Sequence, residues 1–329
     1  MAYPVSSTPF PTGSVTASPA YSGTFIPEIW SGKLIQKFYA ATVLAAISNT
    51  DYEGEIKNHG DKVQIRTKPT IAIRDYQADQ PLTADRPSSA NVQLTIDKGK
   101  YFNCILDDVM EIQSDINMMS MWSDDAGEQM KIVIDTLVLG PSAGGGILHQ
   151  ADAKNRGLTA GAITGLINLG VTGTPVAVAA RNPVSGSIEV IDLILRLGQA
   201  LDEYNIPETG RWVVMPTWVA TLIKKSELRD AALTGDGVSI LRNGRLGMLD
   251  RFTLYSSNLL PSGVPAGLAA GEYVIYAGHA HGLTFASQMT KMETLRSEST
   301  FGTLLRGLQV FGSKVLDGKA LAEAVVIPG

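Results

Sequence analysis

Four histidines, a single cysteine and the carboxylates are the side chains of this 329-residue chain whose types could do chemistry. His279-Ala280-His281 has the H-x-H form used by metal-dependent hydrolases. On a strand, positions i and i+2 face the same side, so both imidazoles could reach one ion. A working zinc site needs further His or carboxylate ligands. Only His59 and His149 remain, both in polar or glycine-rich stretches, and turn or surface roles fit all four better. Cys104 lies in an alternating pattern with no base placed beside it and reads as a small buried hydrophobe. One cysteine excludes an intrachain disulfide and a cysteine-based zinc cluster. Gly140 to Gly146 looks like a phosphate loop, but it follows a helical pattern and lacks the Lys-Ser/Thr ending. No G-x-S-x-G elbow is present. Asp107-Asp108 and Asp124-Asp125 are sequence neighbours, which do not share a helix face, so a solvated surface accounts for them. Met118, Met119 and Met121 suit core packing or an adaptable interface. No catalytic, cofactor-binding or metal-binding residue is assigned, and the chain reads as a non-enzyme without cofactor.

The composition points the same way. With 44% hydrophobic and 18% charged residues, the chain suits a folded protein of low surface charge. A net charge of −5 provides no general basic field for gripping nucleic acid, although it does not prevent the protein from enclosing it. No apolar run approaches the ~20 residues of a membrane span. Residues 1–24 are Ser, Thr, Pro, Ala and Gly with scattered aromatics, and no charge precedes Glu28. That is not a signal peptide. Such a composition cannot build its own core, so it reads as an extended arm that is ordered when laid on something else.

The element that organises the rest runs from Asp107 to Leu139. Val109, Ile112, Ile116, Met119, Trp122, Ala126, Met130, Val133 and Leu137 recur every three or four residues, the stripe of a helix. At ~1.5 Å per residue it would be roughly 45 Å long, a spine. Ser114 and Asp115 divide it into a lead-in and a longer helix; Gly140 and Pro141 end it. Before it, from Lys62, the period is two. Val63 and Ile65, continuing to Ile71 and Ile73, form one strand, and Val92, Leu94 and Ile96 another. Arg74 to Ala90 between them is polar and aperiodic, the tip of a long hairpin. A two-stranded hairpin is marginal alone, so this one either lies on another subunit or folds back on its own domain. After the spine, Gly140 to Gly186 reads as loops with a short helix or strand. Ser187, as N-cap, opens a second helix. Trp212 to Met215 is a buried strand, Pro216-Thr217 opens a helix to Lys225, and Asp230 to Asp250 is a glycine-rich loop. Phe252–Ser256, Glu272–Tyr276 and Leu283–Ala286 read as strands, and Ala324–Ile327 as a final one.

This order is similar to that of the major capsid (coat) protein of tailed double-stranded-DNA bacteriophages, the HK97-like family. The phrases that carry the likeness are Gln113-Ser114-Asp115 leading into the spine and Asp135-Thr136-Leu137-Val138-Leu139-Gly140 closing it. To these add Gly210-Arg211-Trp212-Val213-Val214-Met215-Pro216 before a helix, Gly247 through Pro261, and Phe301-Gly302 through Phe311-Gly312-Ser313-Lys314-Val315. The likeness spans nearly the whole chain, and none of the phrases is a catalytic signature.

The resemblance implies an α+β, HK97-like fold. Its parts would be an N-terminal arm (1–48), an extended β-hairpin loop (49–106), and a peripheral domain with the spine helix (107–186). An axial α/β domain (187–291) and return strands of the peripheral domain (292–329) would follow. It implies hexamers and pentamers tiling an icosahedral phage head around double-stranded DNA, which is enclosed without sequence-specific binding. A weakly charged wall suits a genome that must slide and leave. The implied place is the virion, assembled in the bacterial host cytoplasm, without membrane. Partners would be the chain itself, a portal protein and a separate scaffolding protein, since the arm is too short to contain a scaffolding segment. A cement or decoration protein is left open. Some family members crosslink through a lysine near the loop tip; Arg74 to Ala90 has none, so no crosslink is expected. The inter-subunit contacts expected are Phe25, Trp30, Arg66, Lys68, Arg74, Tyr76, Arg86, Arg242 and Arg245. The alternatives are an encapsulin-like shell or tail component and, from another class, a hydrolase using His279 and His281.

Overall fold

The structure is a computed structural model that describes residues 39–52, 62–69, 71–78, 81, 83–89, 91–113, 118–181, 186–226, 247–298 and 300–329. Residues 1–38 of the expected arm (1–48) and residues 230–246 of the expected glycine-rich loop (230–250) lie outside the described residues.

The spine is present in two pieces, α2 (Asp108–Gln113) and α3 (Met118–Leu139), after a one-turn helix α1 (Leu44–Ile47) near the start of the described chain. The Asp107 carboxylate accepts from Val109 N at 3.0 Å and caps α2. The buried face of α3 overlaps the stripe read from the sequence only in part: Met130 and Leu137 of the stripe pack against the core from its edge. Ile134, Asp135, Val138 and Leu139 are buried, whereas Val109, Ile112 and Val133 are exposed. The last two turns are apolar on two faces, so hydrophobic spacing could not choose the one that the sheet covers. Thr136 Oγ1 bonds back to Ile132 O at 2.7 Å, and Gly140 follows because a Cβ there would lie 2.7 Å from Thr136 O.

Two strands, β1 (Lys62–Arg66) and β2 (Asn91–Thr95), pair antiparallel with Val63 opposite Leu94 and Ile65 opposite Val92. The alternation expected of a half-buried hairpin is there, but β1 ends at Arg66, and Ile71 and Ile73 are 66% and 92% exposed rather than strand-paired. Strand β3 (Lys98–Asp107) then joins β10 (Leu283–Arg296) and β11 (Gly302–Val315) in the order β10-β11-β3. Leu283–Ala286 is thus only the first part of a fourteen-residue strand.

The second sheet has seven strands in the order β5-β4-β12-β9-β6-β8-β7. These are β4 (Val176–Ala179), β5 (Ser187–Glu189), β6 (Arg211–Met215), β7 (Met248–Leu249), β8 (Phe252–Ser256), β9 (Tyr273–His279) and β12 (Leu321–Pro328). Ser187 does not cap a helix; it pairs with Ala177 in a parallel ladder, and α4 starts at Val190 and runs to Glu203. Helix α5 (Thr217–Lys225) follows Pro216 as expected. Strand β6 is buried along its whole length because both sheet faces are covered, which explains its unbroken apolar run. Val213 and Met215 meet α4 and α5, with Leu193, Leu197 and Leu201, in one core. Trp212 and Val214 join Ile134, Val138 and Leu139 of α3 in the other. Tyr276 OH donates to Leu139 O at 3.0 Å across the latter contact.

The return segment expected over 292–329 therefore divides. Its strands through Val315 add to β3, whereas β12 crosses into the seven-stranded sheet, antiparallel to β9 and parallel to β4. The α/β unit read as Ser187 to Met289 likewise draws β4 and β12 from outside those limits.

Candidate subunit interface

Of the nine residues expected at contacts, Phe25, Trp30, Arg242 and Arg245 lie outside the described residues. Arg66, Lys68, Arg74, Tyr76 and Arg86 are all exposed, on β1 or the extended segment after it. The described parts of 67–89 contain no strand or helix. One brace is visible: Arg74 Nη2 contacts both Asp85 oxygens, at 2.8 and 3.1 Å, tying the outgoing limb to the returning one. Ile71, Ile73 and Tyr76 (76% exposed) stand on this segment in water. An extended chain holding three large apolar side chains in solvent fits an interacting surface better than an isolated one.

The residues that sequence reasoning missed are on the three-stranded sheet. Helix α3 covers one face, where Leu305 is buried and Ser123 Oγ lies 3.3 Å from Met292 Sδ. The cross-strand pairs Tyr101–Leu308 and Ile105–Leu304 stand on the other face. The hairpin base covers one end of it, where Leu94 and Ile96 pack with Ala286 and Val310. The rest is open, with Tyr101 78%, Ile105 46% and Leu308 38% exposed. Among them Arg306 Nε donates to Glu293 Oε1 at 2.6 Å, and Lys291 Nζ is 3.0 Å from Glu293 Oε2. Hydrogen bonds from Lys291 and Arg306 hold the Glu293 carboxyl below the usual range. The sequence carries no signal for this row, because Tyr101-Phe102 and Ile105-Leu106 are apolar on both faces of β3 and only the fold exposes one of them.

Residues 39–49 strap across the spine. Tyr39 OH donates to Asp125 Oδ1 at 2.7 Å, Ser257 Oγ donates to Ala41 O at 3.1 Å, and Asn49 exchanges backbone bonds with Leu283 and Phe285. At the centre, buried Asp135 accepts from Val43 N (2.6 Å) and Leu44 N (3.3 Å) through Oδ2, so a spine carboxylate caps α1. Burial pushes the Asp135 carboxyl up, against the pull of those two amides.

Elsewhere the chemistry-bearing residues are engaged in structure. Arg211, 1% exposed, donates to Asp202 Oδ1 (2.7 Å), Ile206 O (2.6 Å) and Pro207 O (2.9 Å). Arg251 bridges Asp202 and Glu208, both at 2.8 Å. Burial alone would raise the Asp202 carboxyl; the hydrogen bonds and charges of Arg211 and Arg251 outweigh it and hold it low. His149, at φ 63°, sits 2.8 Å from Glu323 Oε1 through Nδ1, and Glu323 raises its pKa. His279 and His281 do not share a strand face: His279 ends β9, and its Nδ1 accepts from His281 N in a following 3-10 turn. Among the described residues no three His, Cys, Asp or Glu side chains converge as metal ligands. The phosphate-loop lookalike uses its amides internally: Gly144 N and Gly146 N donate to Pro141 O, and Gly145 N to Ser142 O. Asp108 is paired with Arg296 and Asp125 with Tyr39, so neither acidic pair is merely solvated.

Residues 91–324 match the family model described as phage capsid protein. No curated protein sequence matches. A chain from Mycobacterium phage Che8 superposes with a TM-score of 0.69 at 24% identity, covering 93% of this chain and 98% of that one. The capsid structure of cyanophage P-SCSP1u gives 0.68 at 16% identity, with 94% and 96% covered. The capsid of a native GTA particle gives 0.64 at 16%, with 95% and 100% covered.

Proposed function

Because this chain belongs to the phage capsid protein family, as a structural major capsid protein with the HK97-like fold that assembles into the shell of a phage head, we propose that it does so as hexamers and pentamers tiling an icosahedron around double-stranded DNA. The observation that supports this reading is surface left open on a single copy. Ile71, Ile73 and Tyr76 stand in water on the extended segment, and Tyr101, Ile105 and Leu308 form an uncovered row on the sheet. Apolar area of this kind, interrupted by paired charges, is what repeated protein contacts cover. The hairpin segment then lies on a neighbouring subunit, with Arg66, Lys68, Arg74, Tyr76 and Arg86 at that contact. Phe25 and Trp30 of the arm, and Arg242 and Arg245, join contacts of the same kind.

The division into arm 1–48, extended loop 49–106, peripheral domain 107–186 and 292–329, and axial domain 187–291 belongs to this proposal, with β12 serving the axial sheet. So do a separate scaffolding protein, a portal protein at one vertex, and assembly in the host cytoplasm. The low net charge favours a genome enclosed through its bulk rather than gripped phosphate by phosphate. Electron microscopy of the protein expressed with its scaffolding partner tests the proposal. Closed polyhedral shells with hexameric and pentameric units are expected; a protein that stays monomeric at all concentrations would refute it.

A further inference from the structure

Two features on opposite faces of the seven-stranded sheet suit each other. The first is the loop 160–167. Ala160 N donates to Ile167 O at 2.8 Å, and Ile167 N returns to Ala160 O at 2.9 Å. Gly161 and Gly165, at φ 102° and 61°, turn the chain between them. The Glu203 carboxylate at the end of α4 accepts from Ile163 N (2.7 Å), Thr164 N (3.0 Å), Thr164 Oγ1 (2.8 Å) and Gln199 Nε2 (3.1 Å). This braced loop holds Ile163 and Leu166 79% and 85% exposed. A loop already fixed in one conformation has little ordering entropy left to lose on docking.

The second is a groove of about 330 Å³ on α3, lined by Ile132, Val133, Thr136, Leu137, Pro141 and Gly144. Its one polar side chain, Thr136, is satisfied by Ile132 O. Ala160 and Ile167 belong to the core on the α4 face of the sheet, whereas α3 packs on the other face. The sheet therefore separates a chain's loop from its own groove, and a second copy of the chain is the occupant whose chemistry is on hand. We propose that the loop 160–167 of one subunit seats Ile163 and Leu166 in the α3 groove of the next. Loop and groove are different patches, so the contact is head-to-tail, and in a closed ring of subunits it fills every loop and every groove. The inference rests on the shell assembly proposed above.

Disulfide trapping tests it, with Cys104→Ser removing the natural thiol. Leu166→Cys is combined with Val133→Cys or Leu137→Cys, and the assembled protein is oxidised and run without reductant. The expected result is a ladder from dimer upward for a double variant. A mixture of the two single variants is expected to stop at dimer, because each chain then carries one thiol. Leu166→Asp is expected to weaken assembly at least about tenfold, with the unassembled subunit melting as wild type does, because Leu166 is 85% exposed. Leu166→Ser serves if the aspartate variant does not fold. Normal assembly of the Leu166 variants, with no ladder from either double variant, overturns the docking and leaves the shell reading standing. A wild-type chain that never associates overturns both.

Discussion

Asp135 offers a sharp test of how the strap is held to the spine. Replacing it with alanine leaves the buried amides of Val43 and Leu44 without an acceptor. Each buried, unsatisfied donor costs about 1–3 kcal/mol, and the longer 3.3 Å bond falls at the low end. Removing a carboxylate whose own burial is unfavourable returns part of this, so the net loss is about 2–3 kcal/mol. Asp135→Asn keeps an oxygen in place of Oδ2 and should cost about 1 kcal/mol or less. Acid works in a definite direction. The folded-state pKa of Asp135 lies above its unfolded value, so between the two the folded chain holds a proton that the unfolded chain lacks. Asp135 therefore contributes most at low pH, and this contribution fades as pH rises through the folded value. Wild type should gain on Asp135→Asn as pH falls through that value. Chemical denaturation of the unassembled subunit, with hydrogen exchange at Val43 and Leu44, measures these effects. The reasoning fails if Asp135→Ala lies within about 0.5 kcal/mol of wild type, if the asparagine is as damaging as the alanine, or if the pH trend runs the other way.

Three further changes probe other joints. Glu323 raises the His149 pKa, so their pairing stabilises the fold below the unfolded histidine value and is lost as pH rises through the folded value; Glu323→Gln should remove that dependence from thermal melts between pH 6 and 8.5 or so. Asp202→Ala leaves Arg211 with two carbonyl acceptors but no counter-ion and should cost about 1–3 kcal/mol in denaturation, less than a fully buried pair because Asp202 is 40% exposed. Gly146→Ala would place a Cβ 2.0 Å from Gly140 O, with backbone on both sides, so soluble yield and melting temperature should fall well beyond the effect of a surface substitution.

The parts of this fold legible in the sequence are those whose burial repeats locally. The hairpin base shows in Val63, Ile65, Val92 and Leu94, and β6 shows as one apolar run. The spine shows as a helical pattern, present as α2 and α3, while the expected break at Ser114 and Asp115 lies outside the described residues. What could not be read depends on residues far apart. Which apolar face of α3 is buried depends on Val214 and Tyr276 arriving on one side. The later part of β10, from Ser287 to Arg296, is mostly polar and becomes a strand by pairing with β11. The contact residues expected from the sequence are mostly charged, and the described ones stand on β1 or the extended segment after it. The open row of Tyr101, Ile105 and Leu308 needed three strands aligned before it became one surface. Ile163 and Leu166 sit in a glycine-rich stretch whose rigidity comes from Glu203, 40 residues from Ile163 and 39 from Thr164 in sequence.

The position of β12 also has a consequence in time. It lies between β9 and β4 in the seven-stranded sheet, yet it is translated after both of the strands it joins. At about 5–20 residues per second, β4 waits roughly seven to thirty seconds on the ribosome for its partner. A nascent or truncated chain lacking residues 321–328 has two unjoined sheet fragments and no closed core. Such a chain leaves the edges of β4 and β9 unpaired, so it is expected to open to proteases more readily than one that carries β12.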